Sequence, residues 1–161
     1  MTFTVSPPAV SSSAASPLAM VLGPGPPVTS VIKVVTPRPQ LMQPFPVVRI
    51  AGARIGSGVR LELLKVQQVP AGARIIVRCK GHGCPLKTAR RSAVSGHNGV
   101  APFEFRRFER FLPAGLTLKI YISKRGEIGK YTRFVVRRGK LPLRVDTCLD
   151  PAGVKPLACP S

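Results

Sequence analysis

The segment RCKGHGCP at residues 78–85 carries residue types that can bind a metal, exchange electrons or form a disulfide. Cys79 and Cys84 flank His82 with a C-x4-C spacing. A structural zinc site needs four Cys or His ligands and favours closer cysteine spacing. A thioredoxin-like redox centre needs C-x-x-C at the start of a helix. The spacing therefore disfavours both, although a small zinc-stabilised domain that uses His82 remains an alternative.

Disulfide bonds account best for the cysteines. Cys148 and Cys159 form a second local pair with a C-x10-C spacing. Four cysteines allow three pairings, and we favour Cys79 with Cys84 and Cys148 with Cys159 because each pair is local. The loop closures would contribute about 2 and about 3 kcal/mol in the chain-entropy account. Since stable disulfides form in oxidising compartments, we predict an exported protein in the extracellular space or cell envelope.

Catalytic chemistry has little support in this sequence. The two histidines, His82 and His97, lie in glycine-containing segments that are typical of exposed loops. The six acidic residues are scattered, so a nucleophile, a base and an orienting group cannot be placed together. No glycine-rich loop joins a strand to a helix in the manner of a nucleotide site. We expect a protein that is not an enzyme and that needs neither a metal nor another cofactor.

Positive charge is the main functional signal. The chain has 25 Lys and Arg against 6 Asp and Glu, a formal net charge of +19. Such a balance attracts polyanions, so the partner classes are anionic envelope polymers, nucleic acid or an acidic lipid surface. A merely solvated basic face is the competing interpretation, and the scarcity of aromatic residues disfavours single-stranded nucleic acid. The candidate polyanion-binding residues are Arg106, Arg107, Arg110, Lys130, Arg133, Arg137, Arg138 and Lys140.

Alternating apolar residues indicate β-strands that would carry these side chains. In 73–79 and 116–123 every second residue is apolar, which is the period of a half-buried strand. Further strands are predicted at 47–55, 59–66 and 130–138, with hairpin turns at 56–58 and 124–127. Two Pro-Ala-Gly triplets, at 70–72 and 113–115, predict tight turns that each lead into a strand.

The segment FEFRRFERFL at 103–112 is ambiguous. Its first residues suit a strand, whereas the spacing of Phe105, Phe108, Phe111 and Leu112 suits a helical turn. We predict a strand that becomes a short helical turn, with these apolar side chains in the core. With 18 prolines and 15 glycines, long helices are disfavoured. The fold class is therefore all-β: a single immunoglobulin-like sandwich or small barrel.

Composition divides the chain into three regions. Residues 1–44 are rich in Pro, Ser and Gly and are predicted to be a disordered linker or the remnant of an upstream region. Residues 45–145 are predicted to form the basic β-sandwich domain, and 146–161 a tail tethered by cysteine. No basic n-region or long apolar run marks a signal peptide, and no stretch is long enough to span a membrane. We expect the chain to be the tail of a longer exported protein, or its start to be assigned too far downstream.

Four blocks in order resemble an uncharacterised C-terminal module of exported actinobacterial proteins that often follows PKD or other immunoglobulin-like repeats. They are PFPVVRIAG, VPAGARIIVRCKGHGCP, GEIGKYTRFVVRRGKLP and CLDPAGVKPLACP, within residues 45–160. The resemblance implies export and assigns no activity. The expected function is a non-catalytic extracytoplasmic structural or binding module that contacts anionic envelope polymers through a basic face. The alternative is a nucleic-acid-binding protein that uses the same surface.

Overall fold

The computed structural model describes residues 23, 25, 36–94 and 102–161. The folded unit runs from Pro37 to Ser161. His97 and most of the predicted linker 1–44 lie outside the described residues. The end of that linker was predicted wrongly, because Met42 is fully buried and its N–H donates to the carbonyl of Ile128 at 3.0 Å. Residues 37–44 thus belong to the domain.

The predicted all-β sandwich is confirmed: strands paired antiparallel form two sheets that pack face to face. The small sheet contains β1 (Val47–Ile55), β2 (Gly58–Gln67), β5 (Phe103–Glu104) and β6 (Phe111–Pro113). The large sheet has the order β10-β9-β8-β7-β3-β4, and its strands are β3 (Arg74–Lys80), β4 (Thr88–Ser92), β7 (Thr117–Lys124), β8 (Glu127–Val135), β9 (Leu143–Leu149) and β10 (Pro156–Leu157).

Side-chain alternation places the core between the two sheets. The predicted inward residues of β3 and of the segment that contains β7 are buried, each 9% exposed or less; they are Ala73, Ile75, Val77, Cys79, Leu116, Leu118, Ile120 and Ile122. Because successive strand residues point to opposite faces, the intervening residues lie on the outer face of the large sheet. That outer face carries the candidate site described below.

The predicted turns are also confirmed. Ile55 pairs with Gly58, and Lys124 pairs with Glu127, so both hairpins are tight. In the two Pro-Ala-Gly triplets the glycine has a positive φ, +81° in one and +90° in the other. Each triplet is closed by a backbone hydrogen bond across the turn, at 3.1 and 3.3 Å. These local devices set the register of the strands that follow.

The ambiguous segment 103–112 runs along β2 as an interrupted strand. Between β5 and β6 it makes one 3₁₀ turn, Arg106–Phe108, which places Phe108 in the core with no exposure. The Glu109 carboxylate accepts the N–H of Leu64 at 3.1 Å and so replaces a missing backbone partner of β2. The strand and the helical turn were predicted, but the inward position of Phe111 was wrong, since that side chain is 46% exposed.

Both predicted disulfides are present. Cys79 bonds to Cys84, and Cys148 bonds to Cys159. The second one corrects the predicted domain boundary at residue 146, because Cys148 lies within β9 and the segment up to Leu157 returns as β10 beside it. The predicted tail is therefore part of the large sheet. Two disulfides indicate that the protein folds in an oxidising compartment.

Candidate polyanion-binding face

Three basic side chains lie in one row across the outer face of the large sheet. Arg78 of β3 is opposite Lys119 of β7, and Lys119 is opposite Arg133 of β8. Adjacent strands are about 4.8 Å apart, so the backbones of these three cationic residues follow one another at regular intervals. Like charges directly opposite each other destabilise a sheet. The row is therefore an unfavourable arrangement unless it meets an anion.

Two grooves flank the row and share Lys80, Gly81 and Lys119. The larger, of about 770 Å³, contains Arg78, and the smaller, of about 350 Å³, contains Arg133. The disulfide-closed loop between Cys79 and Cys84 lines the larger groove, together with Lys87. The first disulfide thus fixes one wall of the larger groove.

Neither groove has a carboxylate in its lining. All six acidic residues of the chain lie within its described part, and all are engaged or placed elsewhere. Glu104, Glu127 and Asp146 form ion pairs. Glu109 and Asp150 accept backbone N–H groups. Glu62 is exposed on β2. Within residues 36–94 and 102–161, the cations of the row have no internal counter-ion.

Two tyrosines lie beside the row on the outer face. Tyr121 and Tyr131 are directly opposite, with ring centroids 5.1 Å apart. The Arg78 guanidinium lies 5.4 Å from the centroid of the Tyr121 ring, a cation–π distance that helps to orient it. Burial, and then the neighbouring Tyr121, raise the pKa of Tyr131, so its phenol stays neutral at physiological pH and adds no negative charge to the face.

The structure distributes the eight predicted polyanion-binding residues over several surfaces. Only Arg133 lies in the row. Arg106, Arg107 and Arg110 belong to the 3₁₀ turn and its exit, and Arg106 pairs with Glu104 at 2.8 Å. The other exposed residues, Arg137, Arg138 and Lys140, lie in the connection from β8 to β9. The basic residues that are clustered in the sequence are therefore mostly not the basic residues that lie side by side on the large sheet.

Lys130 points to the inner side of the sandwich, where it belongs to a polar cluster. Its ammonium lies 3.4 Å from the Asp146 carboxylate and 5.5 Å from the centroid of the Phe45 ring. The Arg144 guanidinium donates to Asp146 at 2.7 Å and to the carbonyl of Val48 in β1, also at 2.7 Å. The bond from Arg144 to Val48 ties the large sheet to the small one, and Lys130 is engaged by Asp146 within this cluster.

Asp146 is the anionic centre of this cluster. Partial burial opposes its ionisation, but hydrogen bonds from Arg144 and Thr132 and the charges of Lys130 and Arg144 outweigh burial and lower its pKa to about 2, from a usual 3.8. A carboxyl whose pKa is lowered on folding stabilises the protein above its unfolded pKa. That stabilisation is lost as the pH falls from about 4 towards 2.

Replacement of Asp146 by Asn is expected to lower the free energy of unfolding at pH 7 by about 1 kcal/mol, a value discounted for partial exposure. Urea unfolding of both proteins between pH 7 and pH 2 measures the effect, and the difference should shrink at the acidic end. Glu62→Gln is the matched control, because Glu62 is exposed on β2. A difference that stays constant down to pH 2 would contradict the role given to the carboxylate.

The cysteines offer no thiolate for a metal, since all four are in disulfides. Among the described residues, no group of three or more His, Cys, Asp or Glu is arranged to hold a metal ion. His82 is exposed on the loop that lines the larger groove. No helix in the described part of the chain is long and apolar enough to cross a membrane.

Comparison with known proteins yields no match: no family model, no curated protein and no solved structure is significantly similar to this chain. The resemblance to modules of exported actinobacterial proteins therefore stays a prediction.

Proposed function

We propose that this protein is a non-catalytic extracytoplasmic binding module that holds anionic cell-envelope polymers on the outer face of its large sheet. The observation that carries the proposal is the row of Arg78, Lys119 and Arg133, opposite one another without a carboxylate nearby. The disulfides support an exported location, because such bonds persist in oxidising compartments.

A linear polymer fits this surface better than a single small anion does. The row crosses three strands, and the two flanking grooves continue it on either side of Lys80 and Lys119. Successive charges along a chain molecule can each meet one cation and release its counter-ions. Exposed Arg and Lys in an open groove give affinity by this electrostatic route, with little selection for one monomer sequence.

Ligand binding would also relieve strain within the free protein. The three opposed cations repel one another in the absence of an anion. A polyanion that binds the folded state alone raises the melting temperature by mass action. Thermal stabilisation by an acidic polymer is therefore an expected signature of this site.

Nucleic acid is the less favoured ligand. Sequence-tolerant binding of single strands depends on aromatic faces on which bases stack. The Tyr121 ring already contacts Arg78 and Tyr131, and Tyr131 is only 7% exposed. The outer face thus offers charge without a stacking platform, which favours a polymer recognised through its anionic groups.

Replacement of Arg78, Lys119 and Arg133 together by Ser is expected to weaken polymer binding by at least tenfold at low salt. The matched control replaces Arg137, Arg138 and Lys140 by Ser, which removes the same charge from another exposed segment. Dissociation constants for polygalacturonate and poly(glycerol phosphate) would be measured by titration calorimetry between 50 and 200 mM NaCl. The slope of log affinity against log salt should become shallower by about 2 to 3 in the row variant.

Equal losses in the two triple variants would show that net charge alone attracts the polymer, and the proposed face would be rejected. Binding that survives high salt would indicate a specific pocket in place of the open row. A DNA duplex serves as the third probe. Tighter binding of DNA than of both polymers at the same salt concentration would replace the envelope function by nucleic-acid binding.

A further inference from the structure

A second basic cleft lies at the edge of the sandwich, next to the larger groove, with which it shares Thr88. It measures about 600 Å³, and its walls carry four arginines: Arg90 and Arg91 from β4, and Arg106 and Arg107 from the 3₁₀ turn. Leu86, Ala89, Phe105 and Phe108 contribute apolar surface to its lining. Glu104 is the one acidic residue in the lining, and it already pairs with Arg106 at 2.8 Å.

One wall of this cleft is a strand with an unpaired edge. Within residues 36–94 and 102–161, β4 is the end strand of the large sheet and pairs with β3 alone. Cys79 donates to the carbonyl of Lys87, and Ala93 donates to that of Ala73, both at 2.9 Å. Antiparallel pairing alternates, so odd-numbered residues of this strand turn their backbone groups towards β3.

The backbone groups of Thr88, Arg90 and Ser92 therefore point away from the sheet. In the described part of the chain no acceptor binds their N–H groups, and the Arg90 carbonyl accepts only the Arg91 side chain, at 3.3 Å. An edge of this kind is a template for a further strand. Many binding domains recognise extended peptides by adding them to such an edge.

We propose that β4 binds an extended acidic peptide segment of a partner protein as an additional antiparallel or parallel strand. Peptide side chains on the inner side would lie over the apolar lining near Phe105 and Leu86, within reach of Arg106 and Arg107. Carboxylates in the peptide would meet Arg90, Arg91 and Arg107, which form no ion pair in the described part of the chain, with the bidentate geometry that guanidinium offers.

Charge decides between this occupant and a second copy of the chain. Edge-to-edge pairing of two β4 strands would bring Arg90 and Arg91 of both copies together, and each copy carries a formal charge of +19. Like charges in such proximity disfavour association. An acidic peptide would satisfy both the free backbone edge and the guanidinium groups of Arg90, Arg91 and Arg107.

Amide hydrogen exchange resolves the proposed pairing residue by residue. The probe is a nine-residue peptide of alternating Glu and Val, measured by NMR against the full chain. The amides of Thr88, Arg90 and Ser92 should exchange at least tenfold more slowly with saturating peptide, whereas those of Ala89 and Arg91, already paired to β3, should change little. The same peptide with Lys in place of Glu should give no protection.

Two variants separate the backbone edge from the charge. Arg90→Pro removes an outward N–H without touching a bond to β3, and it should weaken peptide binding by about tenfold or more. Arg90→Ala keeps the N–H and should weaken binding less. The Ser variant of Arg78, Lys119 and Arg133 should lose no more peptide affinity than its charge-matched control does.

Protection that is absent, or that lacks the alternation along β4, would overturn the proposal, and this test does not depend on whether the proline variant folds. Peptide binding that disappears in the row variant but not in its charge-matched control would place the peptide in the basic row. The proposed polymer function is tested independently of this proposal, because its experiment uses different probes and is decided by the two triple variants.

Discussion

Replacement of Phe108 by Ala should lower the free energy of unfolding by about 3 to 5 kcal/mol. Phe108 has no exposed surface and belongs to the core between the two sheets. Its truncation removes buried apolar area and leaves a cavity that the packed strands cannot fully close. For a folded unit of this size the melting temperature should fall by roughly 10 to 20 °C, which calorimetry or urea unfolding measures.

Phe111→Ala is the matched control in the same segment. Phe111 is 46% exposed, and its ring lies over Gly58 of the neighbouring strand. Its truncation should cost about 1 kcal/mol at most, because little area becomes newly exposed. Equal destabilisation by the two substitutions would mean that the 3₁₀ turn does not orient the phenylalanines as described.

The different orientations of Phe108 and Phe111 could not be predicted from the sequence. The apolar spacing treated Phe108 and Phe111 as one helical face, since both fit a period near 3.6. The chain instead returns to a strand at Phe111 because it pairs there with Arg60 of β2. That pairing is a long-range contact, and no local pattern in 103–112 encodes it.

Elements governed by local physics were predictable. The Pro-Ala-Gly turns, the two tight hairpins and the alternation in β3 and β7 depend on neighbouring residues, and all three kinds of feature are present. No strand was predicted at β9, and its residues from Asp146 onward were placed in the tail. Its inward positions carry Arg144 and Asp146. Those side chains form an inter-sheet cluster, which breaks the apolar alternation that a strand prediction relies on.

The candidate site was only partly predictable for the same reason. Alternation already placed Arg78 and Lys119 on the outer side of their strands. It could not show that β3, β7 and β8 are neighbours, and this order brings Arg133 into register with them. Clusters of basic residues along the sequence therefore predicted polyanion binding at the connection after β8 and at the 3₁₀ turn. The row, in contrast, combines residues from strands that are distant in sequence.

Removal of the Cys148–Cys159 bond by replacing both residues with Ser should lower the melting temperature by about 10 °C. The bond closes the longer loop, with a sequence separation of 11 against 5 for Cys79–Cys84. Chain entropy assigns about 3 kcal/mol to the longer loop and about 2 kcal/mol to the shorter. The double Ser variant of Cys79 and Cys84 should therefore melt several degrees below the parent protein but above the first variant.

The affinity for the polymer should be lower in the Cys79/Cys84 variant than in the Cys148/Cys159 variant, which is the opposite of the order in melting temperature. The Cys79–Cys84 loop lines the larger groove and holds Lys80 beside Lys119. Opening that loop frees Lys80 to move and raises the entropic cost of binding, so affinity for polygalacturonate should fall several-fold at 20 °C. The Cys148–Cys159 variant should bind within about twofold of the parent at the same temperature, since this disulfide lies outside both grooves. If the variant with the lower melting temperature also has the lower affinity, the Cys79–Cys84 disulfide contributes to stability only. Polymer binding in the larger groove then does not require this disulfide.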